Sequence, residues 1–135
     1  MNQLKSSLSS SAPHVLSVLR IIAGLLFLQH GLVKLFGFPM PFGRPVDVGT
    51  LIWFQALIEV VGGILLTIGL FTRCTAFVLS GDMAVAYFMS HAPGGFYPIQ
   101  NRGELAVLYC FVFFYLIFAG AGRWSIDGAR GSGSA

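Results

Sequence analysis

Two carboxylates stand deep inside apolar sequence. Glu59 lies near the middle of the run LIWFQALIEVVGGILL at residues 51–66, and Asp82 near the middle of the next apolar run. A charged carboxylate at the centre of a bilayer costs about 2.5–3.5 kcal/mol on insertion scales. Such a pair must be partnered, protonated or facing something wet, and a carboxylic acid held in any of these ways can relay a proton or meet a ligand. Nearby polar residues extend the set. His30 sits in the first apolar run, Gln55 lies four residues before Glu59, and Lys34, His91, Arg102 and Glu104 fall at run ends.

The runs themselves set the frame. Of 135 residues, 56% are hydrophobic and 10% are charged, with 13 Phe. A soluble domain carries about 25% charged residues. The mean hydropathy is +0.80. Four runs, at residues 15–36, 50–71, 74–90 and 104–121, approach the roughly 20 apolar residues that cross a bilayer. Gly- and Pro-rich breakers divide them: residues 37–45, then 69–73, then 92–98. The expected fold is an all-α membrane protein, a four-transmembrane-helix antiparallel bundle over residues 13–128. The second separator is so short that runs two and three form a tight hairpin.

Residues 1–12 are Ser-rich and read as a mobile polar leader rather than part of a signal peptide. The apolar stretch that follows is interrupted by Arg20, exceeds a signal core in length and lacks a small-residue cleavage site. Residues 131–135 (GSGSA) read as a linker outside the fold. With both termini inside, Lys5, Arg20, Arg73, Arg123 and Arg130 fall on the inner face and Lys34, Arg44 and Arg102 on the outer. The positive-inside rule favours that orientation. A net charge of +3 fits basic residues at membrane edges and gives no reason to invoke nucleic acid. Cys74 and Cys110 lie at different depths, beyond the about 7 Å between Cα atoms that a disulfide spans, and read as packing residues.

Helical spacing collects the polar groups. Arg20, Ala23, Phe27, His30 and Lys34 recur at intervals of 3 and 4, one stripe of a helix. Gln55, Glu59, Gly62 and Gly63 share a side of the second run. In the fourth, Glu104, Leu108, Phe111, Tyr115 and Phe118 align. Polar intramembrane residues face the bundle interior, so the three stripes are expected to face one another. At about 1.5 Å per residue, Glu59 and Asp82 fall close to the midplane and His30 about 9 Å below the outer surface. A polar path from the outer mouth to the centre, above a dry lower half, is the pattern of a wet cavity or proton relay.

Structural readings stand beside these. Glu59 and Asp82 could clamp neighbouring helices. His30 could be a satisfied core histidine. Lys34 is expected to snorkel outward, and Arg20 to reach the inner interface or pair with Asp127, locking the first helix to the C-terminal segment. Gly62 and Gly63 are expected to allow close helix packing. Trp53, Phe54, Phe96 and Tyr97 at one level, and Phe71 and Trp124 at the other, read as interfacial belts. No GxSxG, P-loop or HExxH occurs, and the spacing of His30, His91 and Glu59 selects no metal.

Three segments carry a family likeness: HGLVKLFG at residues 30–37, EVVGGILLTIGLFTR at 59–73, and GAGRWSID at 120–127. With Arg20 and Glu104 they cover residues 16–128, and the chain resembles the DoxX family of small four-helix membrane proteins. Ala121 and Ile126 replace the commoner Pro and Leu of the last segment. The resemblance implies a multi-pass protein of a bacterial cytoplasmic membrane. In some relatives it implies association with quinone-linked or thiol-related oxidoreductase systems, hence protein partners, and a homo-oligomer is also open. Arg73, Arg123 and Asp127 fall in its motifs as structural positions. On this basis the leading expectation is a redox-system subunit holding a quinone, with His30 and Glu59 exchanging protons, Asp82 completing the relay and Gln55 orienting the ligand. The binding set adds Lys34, His91 and Glu104. A partner would supply the electrons. The alternative is a non-catalytic binding, transport or assembly protein whose intramembrane charges are clamps.

Overall fold

The computed structural model describes residues 1–131. Helix α1 covers Asn2–Phe36, α2 Leu51–Ile68 and α3 Thr72–Ala86. A π-helical turn continues α3 over Tyr87–His91, and a 3₁₀ turn follows at Ala92–Gly94. Then come α4 Pro98–Asn101, α5 Glu104–Ala119 and α6 Ile126–Ala129. Residues 2–12, expected to form a loose leader, instead extend α1 as exposed helix. The linker-like tail lies outside the described residues beyond Gly131.

Helix ends follow local chemistry. Gly37 (φ 62°) and Gly69 (φ 70°) take the left-handed conformation that ends α1 and α2. Their N–H groups, and those of Phe38 and Leu70, return to carbonyls of the last turns. Thr50 caps α2 by accepting from the Trp53 N–H at 3.4 Å. Only Leu70 and Phe71 separate Gly69 from α3, which gives the expected hairpin.

Helix α1 packs along α2, and α3 along α5. The first pair meets backbone to backbone. A Cβ on Gly31 would stand 2.8 Å from the Val60 nitrogen, and one on Gly63 2.8 Å from the Leu28 Cα. Gly62 instead faces Leu79 of α3. Between the pairs lie Phe27, Leu66, Leu79, Phe113 and Leu116, with Phe27 edge-on to Phe113 at 4.9 Å between ring centres. The outside is as apolar as the inside: Phe77, Phe88 and Phe118 are about two-thirds exposed.

One expected stripe is reversed. Helix α5 buries Ala106, Tyr109, Phe113 and Leu116, while Leu108, Phe111, Tyr115 and Phe118 point outward. Glu104 had set the phase of this helix, yet it is an exposed first-turn residue. The remainder is apolar all round and carries no phase.

The end of the bundle that holds the α2–α3 turn is polar, and its charges are satisfied by protein groups. Arg20 is fully buried, and its guanidinium donates to Ala121 O and Thr67 O, both at 2.8 Å, and to Leu66 O and Trp124 O. It thus caps the C-terminal carbonyls of α2 instead of snorkelling. Arg73 does the same for α5, donating to Ile117 O and Phe118 O at 2.8 Å. The Asp127 carboxyl accepts from the N–H of Phe71 at 3.0 Å and of Thr72 at 2.8 Å, meeting the α3 N-terminus. Each charge complements the dipole of the helix end it caps. Arg123 has an exposed side chain, and its backbone N–H reaches Pro13 O at 3.2 Å.

Candidate functional site

At the opposite end, the helices and their connections line a half-open cavity of about 390 Å³. Helix α1 supplies Phe27, His30 and Lys34, at helical spacing on its inward stripe. Helix α2 supplies Ile52, Gln55 and Glu59, and α3 supplies Met83 and Ala86. Leu105, Ala106 and Tyr109 of α5 close the far wall. The mouth is built from connecting segments, with Phe42 and Arg44 after α1, Ser90 and His91 after α3, and Arg102 before α5.

Glu59 is the centre of this geometry. Its side chain is 2% exposed, and Oε1 accepts from Lys34 Nζ at 2.7 Å. Oε2 is buried and has no protein partner. The Lys34 ammonium also lies 3.4 Å from Gln55 Oε1. Lys34 therefore turns inward, correcting the expectation that it snorkels, because an ion pair at this depth satisfies two charges that would otherwise be stranded. Gln55 also meets the Asp82 carboxyl on α3. Asp82 is half-buried, has a buried oxygen without a partner, and is not among the residues that line the cavity.

Of the residues expected at the site, Lys34, Gln55, Glu59, His30 and His91 share the cavity. Asp82 adjoins it through Gln55. Glu104 is exposed and outside the lining. His30 faces the cavity with its ring edge-on to Tyr109 at 5.9 Å, rather than hydrogen-bonded to Glu59. His91 Nδ1 pairs with Asn101 O at 3.1 Å. Asn101, buried, ties the mouth together: its amide donates to Tyr87 Oη at 3.1 Å and Gly95 O at 2.9 Å, and its Oδ1 accepts from the Gly103 N–H at 2.8 Å. Tyr109, Arg44 and Asn101 were not anticipated as site residues. A correct phase for α5 would have found Tyr109, whereas Arg44 sits in a loop and Asn101 ends the four-residue helix α4, too short to show a period. Among the described residues no three His, Cys, Asp or Glu side chains gather as a metal-binding group.

The fold and site define a helical membrane protein with a charged, half-open internal cavity. Two of its helices, Asn2–Phe36 and Leu51–Ile68, are long and apolar enough to cross a membrane. Residues 15–92 match the DoxX family model, and the chain belongs to that membrane protein family. An uncharacterised Haemophilus influenzae protein is 42% identical over 127 residues, covering 90% of this chain and 95% of the relative. An uncharacterised membrane protein of Mycobacterium tuberculosis is 30% identical over 139 residues, covering 89% and 83%. A second Haemophilus influenzae protein, also uncharacterised, is 32% identical over 124 residues, covering 83% and 80%. No solved structure matches the chain.

Proposed function

We propose that this chain is a four-span membrane subunit of a quinone-linked redox system, holding a quinone or a similar oxygen-bearing lipophile in the cavity beside Glu59. The observation that carries this reading is Glu59, which lines the cavity of about 390 Å³ and whose Oε2 is a buried acceptor without a protein partner. Small-molecule sites are concave and mostly apolar, with few convergent polar groups, and volumes of about 300–1,000 Å³ are typical. Here Phe27, Met83, Ala106 and Tyr109 offer apolar and aromatic wall, and Lys34, Gln55, Glu59 and His30 offer the polar groups.

Reduction of a quinone takes two electrons and two protons. A quinone oxygen can accept from Lys34 or His30, and a quinol hydroxyl can donate to Glu59 Oε2. In this reading His30, exposed on the cavity lining, exchanges protons with water, and Gln55 and Asp82 extend the polar chain across to α3. The electrons come from a partner protein.

The third and fourth spans would be α3 with its π-helical turn, which matches the roughly 30 Å hydrocarbon core, and α5, which falls short of it and would need its flanking residues to cross. Helix α3 with its π-helical turn runs over residues 72–91, about 30 Å, and α5 covers about 24 Å. The protein then sits in a bacterial cytoplasmic membrane with both termini inside. Its apolar exterior meets lipid, protein partners or a second copy.

Protein purified from its native membrane, extracted into organic solvent and analysed by mass spectrometry, is expected to yield near-stoichiometric quinone that the Glu59→Gln variant loses. The second reading, a non-catalytic binding or assembly protein, draws on the Lys34–Glu59 pair joining α1 to α2. It predicts no bound lipophile, a tolerated Glu59→Gln, and a lower melting temperature for Glu59→Leu.

A further inference from the structure

The cavity carries more positive charge than its buried pair can neutralise. Its wall holds Lys34, Arg44 and Arg102 against the single carboxylate of Glu59. Lys34 and Glu59 satisfy each other at 2.7 Å. Among the described residues neither Arg44 nor Arg102 has a carboxylate partner. Arg44 lies 5.4 Å over the Phe42 ring, which holds its guanidinium at the rim. Arg102 is set by a left-handed backbone (φ 59°) between α4 and α5, and His91 stands on the same rim, fixed through Asn101.

Below these cations the wall turns apolar at Phe27, Met83 and Ala106. The arrangement runs from a cationic rim, built on the connecting segments at one end of the bundle, to an apolar interior. Planar guanidinium groups suit carboxylate and phosphate oxygens, and unmatched cations beside low-dielectric surface favour an anion.

We infer that the cavity selects an acidic amphiphile, whose carboxylate or phosphate head is held by Arg44 and Arg102 at the rim and whose apolar part descends toward Phe27 and Met83. This rests on the reading of the cavity as a ligand site, and names the class of ligand it prefers. A neutral quinone would use Glu59 and Lys34 and leave the rim unmatched. An acidic lipophile would use the rim.

The test uses three probes with one chain and different heads: dodecanoate, dodecanol and dodecyltrimethylammonium, with inorganic phosphate as a free oxyanion. Binding to the full chain in phosphatidylcholine nanodiscs is read by native mass spectrometry. Dodecanoate is expected to bind at least tenfold more tightly than the other two chains, and phosphate alone is expected not to displace it. The R44Q/R102Q double variant is expected to lose the preference for the acidic head while retaining the melting temperature and any quinone binding. The single Arg44→Gln change, at an exposed loop position, is expected to weaken dodecanoate on its own. Equal binding of all three heads, phosphate binding as tightly as dodecanoate, or an unchanged preference in both variants would overturn the inference. Absence of quinone from native protein would remove the redox reading and leave this one standing. Bound quinone with no preference for an acidic head would do the reverse.

Discussion

Taking away the Lys34 ammonium strands a carboxylate. Both oxygens of Glu59 would then lie buried with no charge to meet them, since Oε2 has no protein partner already. Breaking one side of a buried ion pair costs about 3–5 kcal/mol, whereas replacing both by apolar residues of similar size is often neutral. Lys34→Met is therefore expected to lower the melting temperature sharply. Glu59→Leu on that background is expected to restore most of the loss while abolishing ligand binding. A double-mutant cycle followed by thermal melts checks this, and additive losses would contradict it.

At the far end of the bundle the relevant residue is Asp127, outside the membrane-spanning helices. Partial burial pushes its carboxyl upward, but hydrogen bonds from the N–H groups of Thr72 and Phe71 outweigh this and hold it below its ordinary value. A group depressed in the folded state contributes stability that is complete above its unfolded value of about 3.9 and is lost as pH falls through the lower folded value. Melting temperature is thus expected to fall below about pH 4, and Asp127→Asn is expected to be less stable at neutral pH with a flatter acid limb. Parallel acid limbs for the two proteins would remove Asp127 from the account.

Among the elements, the α1–α2 contact depends on absent side chains. Gly31 and Gly63 let two backbones meet, and a Cβ on either would press on backbone atoms of the other helix. Between helices in lipid, such close packing replaces the hydrophobic drive available in water. Gly31→Leu is expected to cost at least the about 1–3 kcal/mol of an overpacked core. Gly81, with open space around it, is expected to accept Ala with an unchanged or slightly raised melting temperature. Equal effects at the two positions would sink this reading.

The helices also show what could be read from residues alone. The inward face of α1 was legible because Arg20, His30 and Lys34 mark it at intervals of 3 and 4, and α2 because Gln55 and Glu59 do the same. Helix α5 was not. Lipid is as apolar as the core, so Leu108 and Phe111 on the lipid side look like Tyr109 and Phe113 inside. The partners of Arg20 and Arg73 were equally hidden: both cap backbone carbonyls, and no side-chain pattern announces those. The tight α2–α3 turn was legible from Gly69 and the short separator, whereas the cavity rim formed by Arg44, His91 and Arg102 depends on how three irregular segments converge.

Taken whole, the molecule is polarised. One end is a clasp in which Arg20, Arg73 and Asp127 cap the ends of three helices, and the other is the charged cavity. If four spans cross the membrane with both termini inside, cysteines placed at Arg44 and Arg102, in a background lacking Cys74 and Cys110, will label with an impermeant thiol reagent from outside. One placed at Arg130 will label only after permeabilisation. Labelling of all three from one side would refute that topology.

The measurement closest to the central claim is the lipophile content of the protein taken from its own membrane, compared with the Glu59→Gln variant prepared identically. Solvent extraction and mass spectrometry are predicted to find about one quinone-like molecule per chain in the unaltered protein, and a several-fold loss in the variant. No lipophile above the level of bulk membrane, or equal amounts in both proteins, would contradict the claim that the cavity beside Glu59 is a ligand site.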